Sequence, residues 1–129
     1  MKRVFQHYSG AVEKIVGLKA ATLKVLVDES DQDVILLWLE TETDWFRIFI
    51  DGVYCGIDQY TSDKSEDDLD DGVFLLNRAD WVSKQIITRA YVETRGLPLI
   101  DLTICFSNRS QLILRCHKNE QCSLSRKLI

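Results

Sequence analysis

The sequence predicts a single α+β domain over residues 1–129, mainly antiparallel β, as a sandwich or curled sheet of about eight strands with one or two short helices. Three observations predict it. Apolar runs are short and separated by polar turn residues, which is strand phrasing. The dipeptide Asp51-Gly52 between two such runs is a tight hairpin signal. Only two stretches carry helix start or stop residues, so helices are a minor component.

The elements follow in order. Ser9 to Gly17 reads as a short helix that Ser9 caps and Gly17 stops. Thr22–Val27 alternates, with Leu23, Val25 and Val27 on one face. Asp28 to Asp33 is a polar turn, and Val34–Leu39 is apolar on both faces, as a strand covered on both sides would be. Glu40 to Asp44 turns the chain into Trp45–Ile50, and the Asp51-Gly52 turn leads into Val53–Ile57. After an acidic run, Gly72–Leu76 reads as a strand and Asp80–Gln85 as a second short helix capped by Asp80. Ile86–Thr94, Leu99–Phe106 and Leu112–Cys116 are further strands, with a hairpin connection at Asn108–Ser110 that sets Cys105 across from Ile113. Gln121–Ser125 closes the chain. The halves resemble each other: Asp33–Trp38 matches Asp101–Phe106 in pattern, and Cys55–Ile57 matches Cys122–Leu124. This is either a pseudo-repeat or the likeness that any two antiparallel hairpins share.

At 129 residues the chain is long enough to bury a real core, and 46% hydrophobic with 28% charged residues is ordinary for a globular chain. No apolar run approaches the roughly 20 residues of a bilayer span. The start MKRVFQHYSG lacks the apolar stretch of a signal peptide, so a cytoplasmic location is expected, with all four cysteines reduced.

Charge is the informative feature. Residues 28–71 carry fifteen carboxylates against Arg47 and Lys64, a net of −13, between flanks of +4 (1–27) and +5 (72–129). Within it, SDKSEDDLDDG holds Asp63, Glu66, Asp67, Asp68, Asp70 and Asp71 around Lys64. The central sign disfavours nucleic acid, which needs a basic stripe. An EF-hand fails too. With Gly72 at the sixth loop position, Leu69 and Arg78 fall where oxygen ligands are required.

Cys105, Cys116, His117 and Cys122 offer zinc-ligand chemistry, but without a CxxC knuckle, and Cys116 and His117 would face opposite sides of a strand. Buried small hydrophobes are the better reading of these cysteines. Neither His7 nor His117 sits in a nucleophile–base motif. No cofactor, metal or catalytic residue is therefore expected.

An acidic surface bearing aromatic anchors suits a basic protein partner, because charge raises the rate of encounter and aromatics hold the complex. The candidate contacts are Asp51, Asp58, Asp63, Glu66, Asp67, Asp68, Asp70 and Asp71, with Trp45, Tyr54 and Tyr60. Turns joining alternate hairpins would gather Glu40, Glu42, Asp44, Asp51 and Asp58 at one end of a sheet.

The size, the acidic middle and the phrasing FRIFIDGVYCGID and LTICFSNRSQLILRC carry a resemblance. The chain resembles the small acidic immunity proteins of bacterial toxin systems, including those of contact-dependent growth inhibition. The resemblance implies a non-catalytic inhibitor that binds one cognate toxin, often a nuclease with a basic active site. The alternatives are an adaptor or regulatory β-rich domain of another complex, and a small enzyme using clustered carboxylates.

Overall fold

The computed structural model describes residues 1–70, 72–96, 99–117 and 121–129, with the backbone alone at 74–78. Among these, the chain forms strands β1 (Lys2–His7), β2 (Gly10–Ala11), β3 (Ala20–Asp28), β4 (Val34–Thr41), β5 (Trp45–Asp51) and β6 (Tyr54–Tyr60). They are followed by β7 (Val73–Arg78), β8 (Ile87–Thr94), β9 (Ile100–Phe106), β10 (Ser110–Cys116) and β11 (Cys122–Leu128). One sheet has the order β1-β6-β5-β4-β3-β7 and the other β11-β10-β9-β8-β2. The paired strands run antiparallel throughout.

The mainly antiparallel β expectation therefore holds, and the α component does not. Among the described residues helical structure is confined to 3-10 turns at Glu13–Ile15, Ser65–Asp68 and Asp80–Val82. Neither Ser9 nor Asp80 acts as a cap. The positions before the first and third turns are Val12 and Ala79, and neither makes a side-chain cap bond. The physical reason is length. One turn of helix leaves its backbone groups unpaired, and a segment this short gains too little from propagation. Here the first and third turns each bury one apolar residue, Ile15 and Val82, and a left-handed residue then reverses the chain: Gly17 at φ 88° and Lys84 at φ 67°. The freed backbone groups bond across to the other half of the molecule.

Those bonds expose an internal symmetry. Val12 N–H donates to Ala90 O (2.9 Å), and Ala79 N–H donates to Leu23 O (3.0 Å). Gly17 N–H donates to Ile87 O (2.7 Å), and Lys84 N–H to Ala20 O (2.8 Å). Ala20 N–H donates to Gln85 O (2.8 Å), and Ile87 N–H to Leu18 O (2.9 Å). Each bond maps onto its mate by exchanging residues n and n + 67, as Val12 with Ala79 and Leu23 with Ala90. Two four-stranded meanders, β3–β6 and β8–β11, are thus related by a pseudo-two-fold axis near the Lys19–Ile86 bridge. Cys55–Ile57 does correspond to Cys122–Leu124. Asp33–Trp38 is not the mate of Asp101–Phe106 in that register. Val25 pairs with Leu37 and Val92 with Leu102, so Leu37 corresponds to Leu102, three residues away from the expected alignment. The first half simply spends two more residues on its turn, beside a bulge at Leu26/Val27.

One core lies between the sheets. Leu23, Val25, Leu37, Leu39, Phe46, Ile48 and Ile57 from the first meet Ile87, Val92, Ile100, Leu102, Ile104 and Leu114 from the second. A separate apolar cluster lies on the other side of the six-stranded sheet. It comprises Leu26, Leu36 and Trp38, with Trp45, Phe49, Tyr60 and Val73 packed against it. This explains why β4 is apolar on both faces: alternate residues serve different clusters.

The cysteines divide. Cys55 and Cys105 are buried free thiols, and burial pushes Cys55 up to about 12. Cys116 and Cys122 are directly opposite each other across β10 and β11 and form a disulfide. The expectation of four reduced cysteines is corrected on this point: antiparallel register alone brings the two together. Cys105 lies opposite Gln111 rather than Ile113, because the hairpin turns over residues 107–109 with Arg109 left-handed at φ 65°.

Candidate functional site

The acidic run is a strap. It leaves β6 at Tyr60 and enters β7 at Val73, and these strands lie near opposite edges of the six-stranded sheet. To connect them the chain crosses the sheet's outer face, over the second apolar cluster. What holds it there is a set of carboxylate bonds to side chains that alternate outward from β3, β4 and β5.

Asp68 is the main anchor. Its carboxylate accepts the indole N–H of Trp38 at 2.7 Å, and Nε and Nη2 of Arg47 at 2.9 and 3.0 Å. The Arg47 fork is bidentate, which is the stronger and more directional geometry. Asp68 in turn holds the Arg47 guanidinium above its ordinary value. Asp63 is the second anchor. It pairs with Lys24, whose Nζ also donates to Ser65 Oγ at 3.1 Å and lies 5.1 Å from the Trp45 ring centroid. The Asp63 carboxyl is held below its usual range. Burial pulls the other way, and the bonds from Lys24 and from the hydroxyl and N–H of Ser65 outweigh it. Ser65 itself is buried.

Beside the strap sits a second ionic group. Asp58 is only 3% exposed and accepts from Arg3, with Arg47 Nη1 at 3.9 Å. The two guanidinium groups also flank the Phe49 ring, at 5.2 and 5.1 Å from its centroid. That ring lies across Gly56, the residue opposite Phe49 in the ladder. A Cβ on Gly56 would sit 2.3 Å from Phe49 Cζ, so only glycine fits beneath the ring.

The candidate contacts consequently separate into groups. Glu66 and Asp67 are exposed on the strap's 3-10 turn, and Asp70 is exposed further along. Asp68 is half-buried and Asp63 exposed, and both bond to side chains of the sheet as anchors. Asp58 is buried and internally paired, so it presents no surface. Asp71 lies outside the described residues. Trp45 and Tyr60 are half-buried and paired with each other at one end of the sheet, near the Glu40–Asp44 turn. Asp51 and Tyr54 are paired at the opposite end. The expected gathering of hairpin carboxylates at one end is thus split between two ends, because successive turns of a meander alternate. The exposed Glu29 does approach the strap, donating its N–H to Gly72 O at 2.6 Å.

Sequence reasoning missed Lys24, Trp38, Arg47 and Ser65, which order the strap. The available signal was the unusual polarity of Lys24 and Arg47 within otherwise apolar strands. Among the described residues no group of three or more His, Cys, Asp and Glu side chains could hold a metal ion. No helix there is long and apolar enough to cross a membrane. No family model, no curated protein and no solved structure matches this chain.

Proposed function

We propose that this chain is a non-catalytic protein-binding module, an immunity protein that neutralises a cognate bacterial toxin of nuclease type through its acidic strap. The observation that carries the reading is that the acidic run is fixed rather than loose. Asp63 and Asp68 pin it to the sheet, and Glu66 and Asp67 stand outward on the pinned turn. A fixed array of like charge loses little conformational entropy on binding and presents one geometry to a partner. Its field steers a basic surface toward it. A nuclease binds phosphate with Lys and Arg, so such a surface surrounds its active site, and an acidic protein seated there excludes the substrate. The inhibitor works in the cytoplasm of the cell that it protects.

The test starts from the neighbouring reading frame. Its product is expressed with and without this chain, and cell survival and nucleic-acid cleavage are followed. Protection that weakens in Glu66→Gln/Asp67→Asn, in a protein that remains folded, supports the reading. Protection by neither form, with no complex on co-purification, refutes it.

A further inference from the structure

The pseudo-two-fold leaves one strand position unfilled. In the six-stranded sheet, β1 lies along β6. The mate of β6 in the other sheet is β11, an edge strand whose only neighbour among the described residues is β10. Applying the same 67-residue exchange to Lys2–His7 gives residues 69–74. That segment ends the strap and begins β7, which is paired to β3. Its described part is therefore committed elsewhere, and among the described residues β11 keeps an open side.

The open side has the polarity to accept a strand. His117 N–H bonds to Gln121 O and Ile129 N–H to Arg109 O, so the odd-numbered residues Ser123, Ser125 and Lys127 face β10 with their backbone groups. The backbone groups of Leu124, Arg126 and Leu128 then point away from β10. Alongside lies a groove of about 650 Å³ lined by Val34, Trp81, Leu112, Leu124 and Arg126, with Asp33 and Asp80 on its wall and the Arg126 guanidinium 4.5 Å from the Trp81 ring centroid. In the first half the corresponding position is filled: Phe5 of β1 pairs with Ile57, whose mate is Leu124. Ile57 is fully buried, whereas Leu124 is only half-buried.

We propose that β11 accepts an extended acidic segment of a partner protein, added antiparallel, with a large apolar side chain opposite Leu124 and carboxylates opposite Arg126 and Lys127. Strand addition of this kind draws affinity from main-chain bonds and specificity from the alternate side chains. The charge of the edge chooses the occupant. β11 carries Arg126 and Lys127 and no carboxylate. A second copy paired about Ser125 would bring the two Arg126 side chains into diagonal contact, a repulsive arrangement. An acidic strand instead sets carboxylates against Arg126 and Lys127, a cross-strand ion pair of opposite sense to the one that joins β1 to β6, where Arg3 of the outer strand meets Asp58. This site is independent of the strap, and either could fail without the other.

The probe is an acetylated and amidated heptapeptide, Val-Glu-Glu-Thr-Phe-Thr-Val, titrated into the full chain labelled with ¹⁵N. Amide shifts are expected to be confined to 122–128 and the groove wall at Val34 and Trp81. Exchange at the Leu124 and Arg126 amides should slow at least tenfold at saturation. Replacing both glutamates by lysine should weaken binding at least tenfold, and so should replacing the phenylalanine by threonine. Leu128→Pro, at an exposed strand end, should weaken it several-fold by removing one outward N–H. No response at β11 at millimolar peptide overturns the proposal. So does equal binding of the lysine peptide, or a chain that already dimerises through β11 in sedimentation.

Discussion

Asp68→Asn removes the principal anchor of the strap while keeping the side chain's shape. The carboxylate accepts three N–H bonds, from the Trp38 indole and from two nitrogens of Arg47. Asparagine keeps one acceptor and turns an NH₂ group toward the same donors. A hydrogen bond to a charged group contributes about 1.5–3 kcal/mol when buried. Here the partners are partly screened, with side-chain exposures of 17% for Asp68 and 25% for Arg47. The net loss should be about 3 kcal/mol, felt by the strap before the core. Each 1.4 kcal/mol is tenfold, so strap opening should become roughly a hundredfold more frequent. Native-state hydrogen exchange reads this at the Asp67 and Leu69 amides, which bond to Lys64 O and Glu66 O, and at the Trp38 indole. Core amides such as Ile104 should hardly change. A change below about threefold at the strap would refute the assignment of Asp68 as its anchor, as would an equal loss of protection throughout the core.

Other substitutions and conditions probe the remaining contacts. Gly56→Ala forces the Phe49 ring off its seat between Arg3 and Arg47 and should cost about 1–3 kcal/mol in urea unfolding; an unchanged midpoint would show that the ring is not seated there. Cys116→Ser/Cys122→Ser should lower stability by about 2 kcal/mol, the loop-entropy estimate for so short a ring. Titration of the denatured, unreduced protein should find two thiols, and four would contradict the disulfide. The Asp63 carboxyl lies below its unfolded value, so its contribution is present above that value and lost as pH falls through the folded one. Strap amides should thus begin to lose protection below about pH 4, and protection that stays level from pH 6 to pH 3 would speak against the Lys24–Asp63 pair.

Strands β3 to β10 were legible because their apolar pattern alternates or doubles in plain view, whereas β1 and β2, mostly exposed, were not read as strands. Val34–Leu39 read as covered on both faces, and all of it but the exposed Ile35 is buried, with the strap over one face. The helices were misread because Ser9, Gly17 and Asp80 are cap-like residues at plausible spacing; the bonds that displaced the helices come from 67 residues away and leave no local mark. The acidic run was legible from composition and charge alone. Its division into anchors and exposed charges was not visible, since Asp68 and Glu66 are alike in sequence, and only Arg47 and Trp38, brought to one face by register, tell them apart. Asp58 failed as a surface candidate for the same reason: Arg3, its partner, is 55 residues distant. The disulfide was missed because a reducing compartment was expected and the β10–β11 register, which sets Cys116 opposite Cys122, was not read from the sequence.

We propose that Glu66 and Asp67 steer a basic partner onto a fixed surface. The most direct measurement is the association rate with the cognate toxin as a function of ionic strength, for the natural chain and for Glu66→Gln/Asp67→Asn, with Asp63 and Asp68 left intact to hold the strap. The natural chain should associate steeply more slowly as salt rises to physiological levels, where the Debye length is about 8 Å. The neutralised variant should bind several-fold to tenfold more slowly at low salt, with a shallower salt dependence and an unchanged unfolding midpoint. Equal association rates for the two proteins, with the same salt dependence, would contradict the account.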